Sequence, residues 1–141
     1  MLKNIIVFIT LLIVFTSCSP NNKIAVPDPL QRQWMLKTLP GITYDELVSA
    51  RADINLSNLQ QPGAYGGCNR IFFSLERGKD NSFNFKNIGA TKMYCDKTMH
   101  VEDTLVKALQ QIRKYKVDGH QIVFSNASGE IIATAVAADW D

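Results

Sequence analysis

Three cysteines and two histidines are the side chains of this sequence best suited to nucleophilic or metal chemistry. Cys68 sits in the most unusual local run, Gly66-Gly67-Cys68-Asn69-Arg70. Read functionally, it is a nucleophile whose neighbours Asn69 and Arg70 shape an anion site. A reactive thiolate needs a nearby His or helix N-terminus to lower its pKa, and no spacing places His100 or His120 beside Cys68. Cys68, Cys95, His100 and His120 make a Cys2His2 set in name, but they lack the paired short spacing that pre-assembles a zinc site. No metal or cofactor is expected. Nor is there a Gly-x-Ser-x-Gly elbow, a phosphate-cradling glycine loop or a His-Glu-x-x-His pair. Glu102 and Asp103 are adjacent and read as solvated carboxylates, while Trp34 and Trp140 read as packing residues, Trp140 at the end of the sheet.

Cys18 carries a different chemistry. A short positive start is followed by an apolar run from Ile5 to Phe15, broken only by Thr10, and then by Thr16-Ser17-Cys18. The run is about half of the ~20 residues that a membrane-spanning helix needs. It reads as a secretory signal over residues 1–17, with Phe15-Thr16-Ser17-Cys18 as a lipobox and Cys18 as the lipid-bearing new N-terminus. An uncleaved anchor and a plain cleaved signal are the alternatives. Ser19 after the lipid cysteine points to the outer membrane, facing the periplasm. With Cys18 assigned to lipid, Cys68 and Cys95 remain as an even pair in an oxidising compartment. One bridge between them is the simplest outcome, and two buried free thiols are the alternative.

The formal charge is +2 and drops by one when Lys3 leaves with the signal. Such a balance excludes the basic face or stripe that nucleic acid would demand. Residues 18–29, polar and rich in proline, read as a tether, and residues 30–141 as one domain, expected to be monomeric.

The elements that must hold these residues are mostly strands. Period-two patterns run over Gln33 to Leu39, Ala52 to Leu56, Ile71 to Leu75 and Ser82 to Ile88. Gly78-Lys79-Asp80-Asn81 and Asp118-Gly119 mark hairpins, and Glu130 to Val136 follows the last turn. Between Asp96 and Lys114, Val101, Leu105, Ala108, Leu109 and Ile112 fall at helical spacing, with Asp96 or Thr98 as cap and Arg113 and Lys114 at the C-terminal end. About seven strands and one amphipathic helix result, an α+β pattern whose helix lays its apolar face on the concave side of a sheet.

In this order, Trp34-x-Leu36, Gly67-Cys68-Asn69-Arg70, Thr91-Lys92-Met93-Tyr94-Cys95 and a helical Glu102 resemble the META domain family, and within it the heat-shock lipoproteins. The resemblance spans Asn22 to Ala138. One departure is Ile71-Phe72-Phe73, where the family often has a glycine after Cys-Asn-Arg. The resemblance implies a β-rich, strongly curved, barrel-like antiparallel sheet around one helix. It also implies an envelope role connected with stress and, in relatives, with tolerance of novobiocin. Gly67, Asn69, Arg70, Thr91 and Met93 map onto the family's motifs, and Cys68 and Cys95 onto its two motif cysteines. The family has no agreed enzymatic activity, so the expected role is a non-enzymatic module binding an envelope protein or small molecule. A thiol-dependent enzyme using Cys68 and a carrier of small apolar ligands are the competing readings.

Overall fold

Alternating burial along each strand forces the chain into one sheet with a dry inner face. In the computed structural model, which describes residues 26–140, the strands are β1 (Gln33–Thr38), β2 (Asp53–Asn55), β3 (Gly63–Tyr65), β4 (Arg70–Arg77) and β5 (Phe83–Ala90), then β6 (Lys114–Asp118), β7 (Gln121–Ser125) and β8 (Ile131–Ala137). All pair antiparallel in the order β5-β4-β3-β2-β1-β8-β7-β6. The sheet curls until its edge strands meet at one end, where Ser82 bridges Lys114 and the Phe83 N–H donates to the Arg113 carbonyl at 2.9 Å. The result is a half-barrel. Residues 1–25, including the signal, Cys18 and most of the tether, lie outside the described residues.

The long helix, α2 (Met99–Gln111), fills the concave side. Val101, Leu105, Ala108 and Leu109 are buried there, as the 3.6-residue spacing predicts. They meet the inward residues of the sheet, among them Trp34, Ile54, Ile71, Phe83 and Phe124. Phe83 packs edge-to-face against Phe85 and Tyr115. At the C-terminal end of α2, Arg113 donates to the Gln110 and Ile112 carbonyls at 2.7 and 2.6 Å, the role its position suggested.

Three expectations are corrected. There are two helices, not one, and eight strands. Helix α1 (Tyr44–Ala50) has only seven residues, too few for its apolar spacing to stand out. Its sequence signal is a capping box: the Thr43 hydroxyl accepts from the Glu46 N–H while the Glu46 carboxylate accepts from the Thr43 N–H at 2.7 Å. The cap of α2 also differs. Thr98 holds the N-cap position, but its hydroxyl makes no side-chain cap bond and donates to the Gly67 carbonyl at 3.1 Å. Finally, Trp140 does not seal the sheet: it is 56% exposed and stacks on His120 with ring centroids 3.9 Å apart. Trp34, by contrast, is fully buried, its indole N–H donating to the Leu30 carbonyl at 3.0 Å.

Glu46 also ties the two helices together through a 2.9 Å contact with His100. Its carboxyl is held down at about 2, first by the Thr43 hydroxyl, then by the Thr43 backbone N–H and by His100. A depressed carboxyl adds stability that is present above its ordinary value of 4.5 and is lost as pH falls through about 2. A carbon-detected NMR titration should therefore find the Glu46 midpoint near 2. The midpoint should rise in Thr43→Ala. A parent midpoint at the ordinary value would show that the box does not hold in solution.

Candidate functional site

The motif residues meet where the β3–β4 turn lies against the first turn of α2. Gly66 permits that approach, since a Cβ there would sit 2.6 Å from the Glu102 Cα. Gly67 adopts φ +100°, a left-handed conformation that favours glycine, and a Cβ would press on Thr98 and Ala50. The turn then delivers Cys68 and Asn69 into the interior, both buried.

Asn69 is the centre of the site. Its side-chain carbonyl accepts from the Met93 N–H at 2.7 Å and from the Thr91 hydroxyl at 2.9 Å. Its side-chain amide donates to the Met93 carbonyl at 3.0 Å and to Glu102 Oε1 at 2.9 Å. The Asn69 backbone N–H donates to Glu102 Oε2 at 2.6 Å. The side-chain amide thus pairs with Met93 as a neighbouring strand's peptide would. Both its donors and both acceptor directions of its oxygen are occupied.

Glu102 corrects the solvated assignment. It is 4% exposed, whereas Asp103 is exposed as expected. The signal was available in the sequence: Glu102 lies three and seven residues before Leu105 and Leu109, so it shares their helical face. Both its oxygens accept from Asn69, which satisfies a carboxylate that burial would otherwise penalise. Among the described residues, no buried side-chain nitrogen or oxygen lacks a partner.

Cys68 and Cys95 form a disulfide, with Cα atoms 5.8 Å apart. The bridge pins the 91–95 loop to the same turn that Asn69 holds. In this state Cys68 offers no thiolate. The other members of the Cys2His2 set are dispersed: His100 contacts Glu46, and His120 accepts from Arg32 at 3.0 Å through Nδ1. Among the described residues no group of three or more His, Cys, Asp or Glu side chains is arranged to hold a metal. Arg70 departs from its motif neighbours. Its backbone pairs with Thr91, but its side chain is exposed on the outer face of the sheet. Thr91 and Met93 are both exposed as residues, and Met93 serves the site through its backbone.

A curled antiparallel half-barrel filled by one helix, with its turn locked by a disulfide and a buried Asn–Glu pair, defines a small α+β domain built around a structural knot. The chain belongs to the META domain family, whose model matches residues 28–139. Solved structures share the fold, two of which illustrate it. One is an NMR structure of a protein from Burkholderia xenovorans, 20% identical with a TM-score of 0.57, covering 85% of this chain and 97% of that one. The other is a DUF4847 family protein from Bacteroides vulgatus, 13% identical with a TM-score of 0.51, covering 79% and 96% respectively. No curated protein sequence matches the chain.

Proposed function

We propose that this META domain protein is a lipid-anchored, non-enzymatic binding or accessory module of the cell envelope. It sits at the outer membrane facing the periplasm, acts under stress such as heat, and contributes to novobiocin tolerance. The observation that carries the non-enzymatic part is the saturation of the motif cluster. Asn69, Glu102 and the Cys68–Cys95 bridge satisfy one another, and no group among them is left to attack a substrate or move a proton. A disulfide fits an oxidising compartment, in keeping with the signal and lipobox. The domain takes no cofactor and works as a monomer on the membrane, with an envelope protein or small molecule as its partner.

Labelling cells with radioactive palmitate tests the anchor. The wild-type chain should take up label and fractionate with membranes, and Cys18→Ser should do neither. In a deletion strain with lowered novobiocin tolerance, the wild-type gene should restore growth and Cys18→Ser should not. Equal labelling of both proteins would remove the anchor, and a deletion strain as tolerant as its parent would remove the antibiotic role.

A further inference from the structure

The outer face of the sheet carries a groove of about 980 Å³ that shares Arg70 and Thr91 with the motifs but not Cys68, Asn69 or Glu102. Its floor is set by strand register. Asp53, Tyr65 and Arg70 align across β2, β3 and β4 in one row, and Asn55, Gly63 and Phe72 in the next. Each row spans about 10 Å, two strand spacings. Gly63 leaves a gap in the second row, and a Cβ there would stand 2.9 Å from the Ile71 carbonyl oxygen. Phe72 is 54% exposed although its ring covers Gly89, where a Cβ would lie 2.5 Å from it. One side of the ring is thus supported by the sheet, and much of the rest is open.

Charge singles out the same groove. Of the arginines, Arg32 and Arg77 are bonded to other side chains, and Arg113 to backbone carbonyls. Arg51 and Arg70 line the groove, are exposed, and make no ion pair with another described residue. Asp53, in the same lining, is half-buried and accepts from the Gln33 amide at 2.5 Å. Its burial raises the carboxyl above its ordinary value, against the opposing Gln33 bond. The Asn55 side-chain carbonyl is taken by Ser57, through the Ser57 N–H and hydroxyl, which leaves the Asn55 amide nitrogen as a donor for a ligand.

These groups ask for three things of one ligand. Two free guanidiniums match carboxylates. A carboxylate acceptor and amide donor on the floor match hydroxyls. An open aromatic ring matches an apolar C–H face. An extended peptide fits less well, because β2, β3 and β4 are interior strands with neighbours on both sides, and peptides gain main-chain pairing at sheet edges. We propose that this groove binds a carboxylate-bearing oligosaccharide, with its acidic groups on Arg51 and Arg70 and a sugar ring on Phe72.

The proposal rests on the reading of the protein as a binding module and names its ligand class. The full chain, purified in non-ionic detergent, is applied to an array of carboxylated, phosphorylated and neutral oligosaccharides. Retained carboxylated glycans are then titrated by calorimetry. Carboxylated glycans should bind at least about tenfold tighter than their neutral counterparts. Arg70→Ala, Arg51→Ala and Phe72→Ala should each weaken binding by about tenfold, with circular dichroism unchanged. Lys116→Ala, which removes an equal charge from β6, should bind as the parent does. Retention of no carboxylated glycan, retention of phosphorylated glycans alone, or full binding by folded Arg70→Ala and Arg51→Ala would overturn it. Those results leave the palmitate assay untouched, so the ligand class and the anchor stand or fall separately.

Discussion

Replacing Asn69 with alanine is expected to lower the unfolding free energy by about 3 kcal/mol, the upper end of the cost of orphaning a buried polar partner, because one of the groups left behind is a carboxylate oxygen. One side chain supplies four of the bonds that hold the turn, the 91–95 loop and α2 together. Its loss strands Glu102 Oε1 inside the protein and removes the side-chain partners of both the Met93 N–H and carbonyl. Asn69→Asp should fare no better. It keeps the acceptor for Met93 and Thr91 but sets a second carboxylate against Glu102, where 2.9 Å now separates donor from acceptor. Urea unfolding followed by tryptophan fluorescence measures the change, and domains of this size have only about 5–15 kcal/mol in total. A double-mutant cycle with Glu102→Ala then isolates the pair: the two losses should be far from additive. A loss below about 1 kcal/mol for Asn69→Ala would mean that the knot is not what holds the turn.

The second large effect concerns the bridge. Cys68→Ser, Cys95→Ser and the double variant should each lose about 3.5 kcal/mol, the chain-entropy value for closing a loop of this length. The separation of the two cysteines is 27 residues. The three losses should agree, because either single change opens the same loop, and reduction of the wild type should reproduce them. Thiol titration of the unreduced protein should find neither Cys68 nor Cys95 reactive. If Cys68→Ser alone abolished function in cells while Cys95→Ser preserved it, the thiol-dependent reading of Cys68 would replace the structural one.

The two predictions bear on one another. The bridge constrains the unfolded chain, whereas Asn69 and Glu102 act in the folded interior. Removing the bridge should therefore leave the Asn69–Glu102 bonds in place, and the 91–95 loop should stay close to the turn through Met93.

Much of the architecture is local in origin. Period-two burial fixes where Gln33–Thr38, Phe83–Ala90 and the C-terminal strands lie, because one face of each must be dry. Helical spacing fixes which face of α2 enters the core, and the ordered cysteine motifs mark the family. The short helix α1 does not show in the pattern because seven residues carry too little periodicity, although Thr43 and Glu46 spell its cap. Glu102 reads as solvated because a carboxylate normally is, and only a partner brought from 33 residues away makes its burial tolerable. Folding settles three further features. It turned Asn69 inward and its neighbour Arg70 outward, because Asn69 ends the bend before β4, where Met93 and Glu102 hold it, whereas Arg70 starts the strand on its outer face. It chose the Cys68–Cys95 bridge, the simplest outcome for an even pair, over two buried free thiols. And it set Arg51, the C-cap of α1, and Arg70, the first residue of β4, along one groove, since only the pairing of β2, β3 and β4 brings these stretches of chain together.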